Sequence, residues 1–450
     1  MLIDERRSTD KLVDLDRGLL SRRVFTDPEI YKVELERIFA KCWLFLAHDS
    51  MIPKSGDFMT TFMGEDHVIV TRGRDEKVHA MLNTCRHRGN RVCLFDSGNA
   101  AAFTCTYHGW SYDTAGKLIG VPFLKEAYYD ELDKSEWGLV PVPRIESIGG
   151  MTFGSWDPNA PSLVEYLGEL GWFMERLVLG TWNGGLEFVT GRHVYTARAN
   201  WKIIAENFAG DHYHTSVTHA SAYKLGLAPH PAGYEDVQDP NGPFEVALRP
   251  GHGAGGVYTG RPPFERDLAV AERLGPEVVA YAKERYARLT EVMRDTPCLP
   301  YRQGHGNMFP NLSWSGQANA TGGRSFYLLQ PKGPLHTEIW IWFAVERNAP
   351  QAVKDLVRGQ SGQMGQLPSG FFAQDDAENF ERVTESARTT IAKRYPFNIG
   401  MQLGHEGQWP GQEKWDVAGI PGLVGPRYGE HSQRLFYSFW AKQTGLDTEA

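Results

Sequence analysis

Residues 85–110 read Cys-Arg-His-Arg-Gly-Asn-Arg-Val-Cys-Leu-Phe-Asp-Ser-Gly-Asn-Ala-Ala-Ala-Phe-Thr-Cys-Thr-Tyr-His-Gly-Trp. The frame is Cys85-x-His87, a spacer of 17 residues, then Cys105-x-x-His108. Each half offers one thiolate and one imidazole. Two such pairs suit a tetrahedral metal ion, or a two-iron, two-sulfide centre with both cysteines on one iron and both histidines on the other. Zinc fingers usually pair cysteine with cysteine at short spacing, whereas each loop here mixes the two types. Arg88-Gly89 and Gly109-Trp110 follow the ligands, which lets tight loops wrap a cluster and turn backbone N–H groups toward sulfur.

Working outward, His67–Arg72 and Lys77–Asn83 read as two strands joined by a polar turn through Gly73 and Asp75. Ser111-Tyr112 and Lys117–Ile119 flank Asp113-Thr-Ala-Gly116, a second hairpin signal. Residues 42–157 are therefore expected to form a small antiparallel β domain, closed by Asp157-Pro-Asn-Ala-Pro161. Before it, residues 10–40 mix charged and apolar residues at roughly helical spacing, and residues 1–41 are expected to be an N-terminal helical segment packing on the second domain. That domain spans 158–450. Within it, Asn200–Ala220 has a helix-compatible composition. Pro229–Pro263 holds 7 Pro and 7 Gly, which reads as a long irregular loop, with Gly251-His-Gly-Ala-Gly-Gly256 as part of a lid. Asp267–Met293 reads as helix interrupted at Gly275-Pro276, Arg324–Gln330 and Thr337–Glu346 as strands, and Gln351–Gln363 and Ala377–Arg394 as helices.

Composition bounds the rest. The chain has 450 residues, 41% hydrophobic and 23% charged, an ordinary globular balance. A net charge of −8 gives no electrostatic reason to bind nucleic acid. No apolar run reaches the roughly 20 residues needed to span a bilayer, and the charged N-terminus is unlike a signal peptide. A cytoplasmic location is expected, with reduced thiols. Five cysteines argue against a disulfide framework, and Cys42, Cys93 and Cys298 are expected to be inert. Fifteen histidines are the more informative count.

A second constellation follows at Glu206-Asn207-Phe208-Ala-Gly-Asp211-His212-Tyr213-His214-Thr-Ser-Val-Thr-His219. Two histidines and a carboxylate on one face of an iron leave open positions for O2 and substrate. The candidates are His212, His214 and His219. On an ideal helix His214 and His219 lie about 140° apart, so they share a metal only if the helix ends or distorts, which Thr215–Thr218 allows. Asn207, Asp211 and His214 do share a face, so Asp211 can accept a hydrogen bond from His214.

The first motif closely resembles a Rieske cluster-binding domain, of the oxygenase and ferredoxin branch. The extra cysteines of respiratory Rieske proteins are missing, because position 107 is Tyr and Cys93 has no counterpart in the second loop. The second motif resembles the mononuclear-iron segment of Rieske aromatic-ring-hydroxylating dioxygenase large (alpha) subunits of the naphthalene and biphenyl dioxygenase type: N-W-K, E-N, D-x-Y-H, T-H. The resemblance implies an α+β chain: a small antiparallel β Rieske domain plus a larger catalytic domain with a central antiparallel sheet flanked by helices, of helix-grip type. It implies a [2Fe–2S] Rieske cluster on Cys85, His87, Cys105 and His108, and a mononuclear non-heme Fe(II) on His214 and His219. The third ligand falls in Gly370–Phe380, where an aromatic precedes a paired Asp. Asp376 matches the ligand, with Asp375 as the alternative, and the pair also suits a helix N-terminus. Asp211 resembles the bridging acid.

The implied reaction adds both atoms of O2 to an aromatic ring to give a cis-dihydrodiol. No strand–GxGxxG–helix unit is present, so NAD(P)H is expected to bind a separate reductase, with a ferredoxin between. A homotrimer of large subunits is implied (α3 or α3β3, the latter with a small beta subunit), with His108 of one subunit facing Asp211 and His214 of the next. Phe208, Phe372, His305 and Asn307 are the expected substrate-binding residues. No Arg or Lys lies between Glu206 and His219, which favours an uncharged aromatic hydrocarbon over an aromatic acid. Competing readings are a Rieske monooxygenase or demethylase, a pure electron carrier and a zinc-stabilised binding protein.

Overall fold

The computed structural model describes residues 11–225, 243–258, 264–292, 301–316, 322–361, 370, 372–408 and 419–446. Cys298 lies outside them, as do residues 1–10 and parts of the Pro229–Pro263 stretch. The chain divides into two compact units, Leu35–Leu163 and the pair Met1–Glu34 with Val164–Ala450.

The smaller unit is antiparallel throughout its described strands. Val78–Leu82, Asp66–Arg72, Asp57–Met63 and Ser97–Asn99 form one sheet, and Leu118–Gly120, Ser111–Asp113 and Ala102–Thr104 another. Both expected hairpins are present. The first closes through Gly73, whose N–H bonds the Lys77 carbonyl at 2.8 Å. Val68, Ile69 and Val70 are all buried, which explains their unbroken apolar run. Phe58, Ile69, Met81, Phe103, Trp110, Tyr112 and Leu118 form a core that also encloses Cys85, Cys93 and Cys105. Phe58 and Phe103 meet edge to face at 5.2 Å.

The larger unit is built on a 9-stranded antiparallel sheet. From one edge, Leu186–Phe188 pairs with Thr337–Glu346, followed by Arg324–Pro331, Leu312–Gly316, Tyr301–Met308, His252–Tyr258, Pro243–Leu248 and Leu423–Pro426. His193–Ala197 also pairs with Thr337–Glu346. Helix Trp201–Gly210 packs across the strands His252–Tyr258 and Tyr301–Met308, and helix His431–Thr444 packs beside it.

The glycine-rich run 251–256, expected as lid, belongs instead to a central strand, paired on both sides. Its glycines answer a packing demand. A Cβ on Gly253 would lie 2.0 Å from the Ala209 carbonyl oxygen, so only glycine admits the helix this close to the sheet. The expected helix over Asn200–Ala220 is also broken. It runs Trp201–Gly210, stops at Asp211 (φ −132, ψ 78), and resumes as short turns over Thr215–Thr218 and Ala220–Lys224. The break falls before Thr215, not within Thr215–Thr218.

The Asn200-Trp-Lys202 signature is structural. The Asn200 side chain caps the helix by accepting from the Lys202 N–H at 3.0 Å. Glu34 and Lys202 are fully buried and paired at 2.5 Å. The same carboxylate accepts from the indole N–H groups of Trp201 (2.9 Å) and Trp440 (2.8 Å). One acid thus ties the N-terminal segment to two helices and satisfies a buried ammonium. Ahead of it, residues 11–27 hold no α-helix: Val13–Asp14 pairs with Leu19–Leu20, Leu19–Leu20 also pairs with Phe397–Asn398, a 3-10 turn spans Arg22–Phe25, and the α-helix starts at Pro28.

Candidate metal centres

In the smaller unit the two mixed loops have the same backbone geometry despite their unequal spacing. The Gly89 N–H bonds the Cys85 carbonyl at 2.9 Å, and Cys85 N–H bonds the Asn90 carbonyl at 2.8 Å. The second loop repeats this with Gly109, Cys105 and Trp110 at the same distances. Both glycines have positive φ, 73° and 74°, which closes each turn. Cys85 and Cys105 are buried and free of disulfides. The rings of His87 and His108 approach to 4.5 Å, with His108 at the surface. His87 stacks on Trp110 at 5.0 Å, so the second loop orients the first loop's imidazole. Burial pushes the Cys105 thiol up, but backbone N–H groups of Tyr107 and His108, with Cys85 and Asn90, bring it below its ordinary value. The N–H donors to this sulfur include Tyr107 and His108. Tyr112 adds a hydroxyl 3.3 Å from the Cys85 sulfur. Two thiols and two imidazoles converging in this way fit a [2Fe–2S] cluster, and the N–H donors favour thiolate over thiol. Cys42 and Cys93 are buried.

In the larger unit His214 and His219 flank the single turn Thr215–Thr218, which ends at His219 (φ −100, ψ 15), and their ring centroids lie 5.3 Å apart. Asp376, in the first turn of helix Ala373–Ala387, supplies the third group. Its Oδ1 lies 3.4 Å from Nε2 of His214 and 3.3 Å from Nε2 of His219. These separations are long for hydrogen bonds. They match the roughly 3.0–3.4 Å between two donors held about 2.1 Å from one ion at 90–110°. The three donors lie within 4.8 Å of one another, a set of two imidazoles and a carboxylate that fits a mononuclear iron. Burial opposes a charge on His214, but Asp211 and Asp376 pull its pKa up to about 10, so this pocket is built for positive charge. Asp375 instead faces the far side of His219, 3.5 Å from Nδ1, which has no hydrogen-bond partner among the described residues.

Behind His214, Asp211 accepts from its backbone N–H at 3.1 Å and lies 3.2 Å from its Nδ1. The Asn207 amide is 3.3 Å from the same ring nitrogen. Phe372 meets His219 edge to face at 4.7 Å, and Phe208 packs on Tyr327 at 4.6 Å. Asn307 is committed within the chain: its Oδ1 accepts from Ser313 at 2.8 Å. His305 sits against His212, ring centroids 4.1 Å apart, and both face Glu245. Burial raises the Glu245 carboxyl, yet the two imidazoles overcome it and hold the pKa at about 2.

Glu34, Tyr112 and Glu245 were not singled out from sequence. For Glu245 a signal existed. Phe244-Glu-Val-Ala-Leu248 is a strand-like apolar run with one acid in it, inside a stretch dominated by Pro and Gly.

Known proteins resemble this chain over nearly its whole length. Residues 42–142 match the family described as "Rieske [2Fe-2S] domain", and residues 188–443 match "Ring hydroxylating alpha subunit (catalytic domain)". The chain is 36% identical to biphenyl dioxygenase subunit alpha of Paraburkholderia xenovorans, covering 96% of this chain and 92% of that one. It is 37% identical to benzene 1,2-dioxygenase subunit alpha of Pseudomonas putida, covering 98% and 94%. Among solved structures, naphthalene 1,2-dioxygenase from Rhodococcus sp. bound to indole superposes with a TM-score of 0.81 at 34% identity, covering 100% of both chains.

Proposed function

Since the chain belongs to the aromatic-ring-hydroxylating dioxygenase alpha-subunit family, we propose that its mononuclear iron is held by His214, His219 and Asp376 and its Rieske cluster by Cys85, His87, Cys105 and His108. The chain is the catalytic subunit of a ring-hydroxylating dioxygenase, an oxidoreductase with a [2Fe–2S] cluster and a mononuclear iron. It depends on electron-transfer partners and acts on an aromatic substrate. The observation that carries the ligand assignment is the shared approach of two Nε2 atoms to one oxygen of Asp376, at 3.3 and 3.4 Å.

When bound, the two iron centres supply one-electron transfer and O2 activation. The protein's own groups prepare the site. Asp211 accepts from Nδ1 of His214, which turns Nε2 toward Asp376 and makes it the nitrogen that would face a metal. The Asn207 amide lies beside the same ring nitrogen, at 3.3 Å. Phe372 packs against the edge of His219 and limits water there, while Phe208 on Tyr327 offers an apolar aromatic face. His305 and Asn307 are weaker substrate contacts, since one faces Glu245 and the other bonds Ser313.

The substrate class we favour is an uncharged aromatic hydrocarbon converted to a cis-dihydrodiol. Two observations support it. The cation nearest the motif, Lys202, is neutralised by Glu34 inside the core. The relatives are named for biphenyl and benzene. We further propose an α3 or α3β3 assembly with a small beta subunit, electron supply by a ferredoxin and an NAD(P)H-dependent reductase, and a cytoplasmic location. Among the described residues no helix is long and apolar enough to cross a membrane. The test is turnover with a generic ferredoxin and reductase on naphthalene, biphenyl, benzene and benzoate, reading dihydrodiol masses. Dihydrodiols from the hydrocarbons are expected. Oxidation of benzoate alone would overturn the substrate assignment.

A further inference from the structure

Apart from the triad at Asp376, a second cluster in the larger unit carries metal-binding chemistry. Three adjacent strands place Glu245, Gly255 and His305 in direct register. The glycine between them is required. A Cβ on Gly255 would lie 2.2 Å from Oε2 of Glu245 and 2.9 Å from Nε2 of His305. Without it the acid and the imidazole reach across the middle strand to 3.3 Å. On its other side Glu245 pairs with Gly425, again without a side chain. His212 closes the cluster from the end of the helix, with Nδ1 2.8 Å from Oε1 of Glu245.

Glu245 is fully buried, and among the described residues its ion-pair partners are these two histidines, with no Lys or Arg. Its Oε1 takes both the backbone N–H and the ring of His212. Among the described residues, its Oε2 and the facing Nε2 of His305 have no hydrogen-bond partner. A buried carboxylate oxygen and a buried imidazole nitrogen that face each other at 3.3 Å without a hydrogen bond are costly, and buried charges are normally hydrogen-bonded or bound to metal. One ligand atom from each of the three residues lies within 4.8 Å of the others. Nε2 of His305 and Oε2 of Glu245, at 3.3 Å, approach the roughly 3.4 Å that two donors subtend on a tetrahedral ion with bonds near 2.1 Å, and the ion would replace the proton that His212 Nδ1 and Glu245 Oε1 share at 2.8 Å.

We propose that His212, Glu245 and His305 form a second metal site, separate from the triad at Asp376, that takes one divalent ion of the zinc class. Two imidazoles and a carboxylate are a zinc donor set, and zinc ranks above ferrous iron in general affinity for such ligands. Zinc has no redox role, so this ion moves no electron. It cross-links two strands of the sheet to His212 at the end of the helix. The site is built from its own residues and stands or falls independently of the iron-ligand assignment.

The test uses the purified chain with both iron centres loaded. It is equilibrated with Zn2+ at micromolar free concentration, freed of excess metal and analysed for zinc and iron. One zinc per chain beyond the retained iron is expected, along with a tenfold or greater loss of zinc retention in Glu245→Gln and in His305→Ala. Cluster absorbance and iron content should stay at wild-type level in both variants, which shows that they are folded. Wild-type protein that gains no zinc overturns the proposal. So does zinc gained only in exchange for iron lost, or zinc retained fully in both variants. The wild-type arm needs no variant to fold.

Discussion

Oδ1 of Asp376 lies 3.3 Å from Nε2 of His219, whereas Oδ2 of Asp375 reaches only the opposite ring nitrogen, at 3.5 Å. Adjacent acids on one helical turn therefore address opposite edges of one imidazole. Asp376→Asn is expected to lose mononuclear iron and to cut turnover more than about 100-fold, with the visible spectrum of the cluster intact. Asp375→Asn should keep its iron and lose no more than about tenfold, the lower end for a group behind a ligand. Iron content of the two purified variants decides. An empty site in Asp375→Asn with a full one in Asp376→Asn would reverse the assignment.

Asp211 holds His214 by both its backbone N–H and its ring. Asp211→Ala removes both acceptors. Iron affinity should fall by about 10–100-fold, with turnover falling alongside it. Iron titration of the metal-depleted variant measures this. Unchanged affinity would show that His214 is held without Asp211.

The buried Glu34–Lys202 pair predicts a stability effect without a metal effect. Lys202→Met leaves the carboxylate with two indole donors but no cation, and Glu34→Gln strands the ammonium. Each should cost about 3–5 kcal/mol in chemical denaturation. The double variant Glu34→Gln/Lys202→Met should cost less than the sum, because neither leaves the other's charge uncompensated. Additive losses would mean that the two groups act separately.

Close approach of helix and sheet makes Gly253 sensitive. In Gly253→Ala the new methyl meets the Ala209 carbonyl at 2.0 Å, and overpacking of this kind costs about 1–3 kcal/mol. The Trp201–Gly210 helix must also shift, so iron retention should fall with it. Gly359→Ala is the control. It lies in helix Gln351–Ser361, its Cβ would meet nothing within 4 Å, and it should stabilise by about 0.5–1 kcal/mol. Equal behaviour of the two variants would contradict the packing argument.

His252 predicts an acid limb. It is fully buried, its Nδ1 accepts from the Phe309 N–H at 2.9 Å, and its Nε2 lies 3.0 Å from the Tyr166 carbonyl. That pattern requires the neutral Nε2–H tautomer. Burial lowers its pKa from 6.5 to about 4. A depressed histidine contributes stability in full above 6.5 and loses it as pH falls through 4. The span from 6.5 to 4 corresponds to about 3 kcal/mol. Wild-type protein should therefore lose more denaturation free energy between pH 7 and pH 4 than His252→Asn. Parallel curves would place the acid sensitivity elsewhere.

What could be read from sequence was local. Cys85, His87, Cys105 and His108 lie within 24 residues, and Asn207 to His219 within 13, so spacing and side-chain chemistry identified both groups. The two hairpins of the smaller unit were legible for the same reason. The large sheet was only half legible. Arg324–Pro331 and Thr337–Glu346 announce themselves by apolar runs. His252–Tyr258 does not, because its glycines were chosen for the backbone of Ala209 and for the meeting of Glu245 with His305, neither of which is near in sequence. Glu34 escaped notice because its three partners, Trp201, Lys202 and Trp440, are all supplied by distant chain.

The central claim is that this chain inserts both atoms of O2 into an aromatic ring. The most direct measurement is turnover of naphthalene under 18O2 by the chain supplied with a ferredoxin and reductase, with the product mass read for label. A dihydrodiol carrying two labelled oxygen atoms is predicted. A product carrying only one would contradict the account.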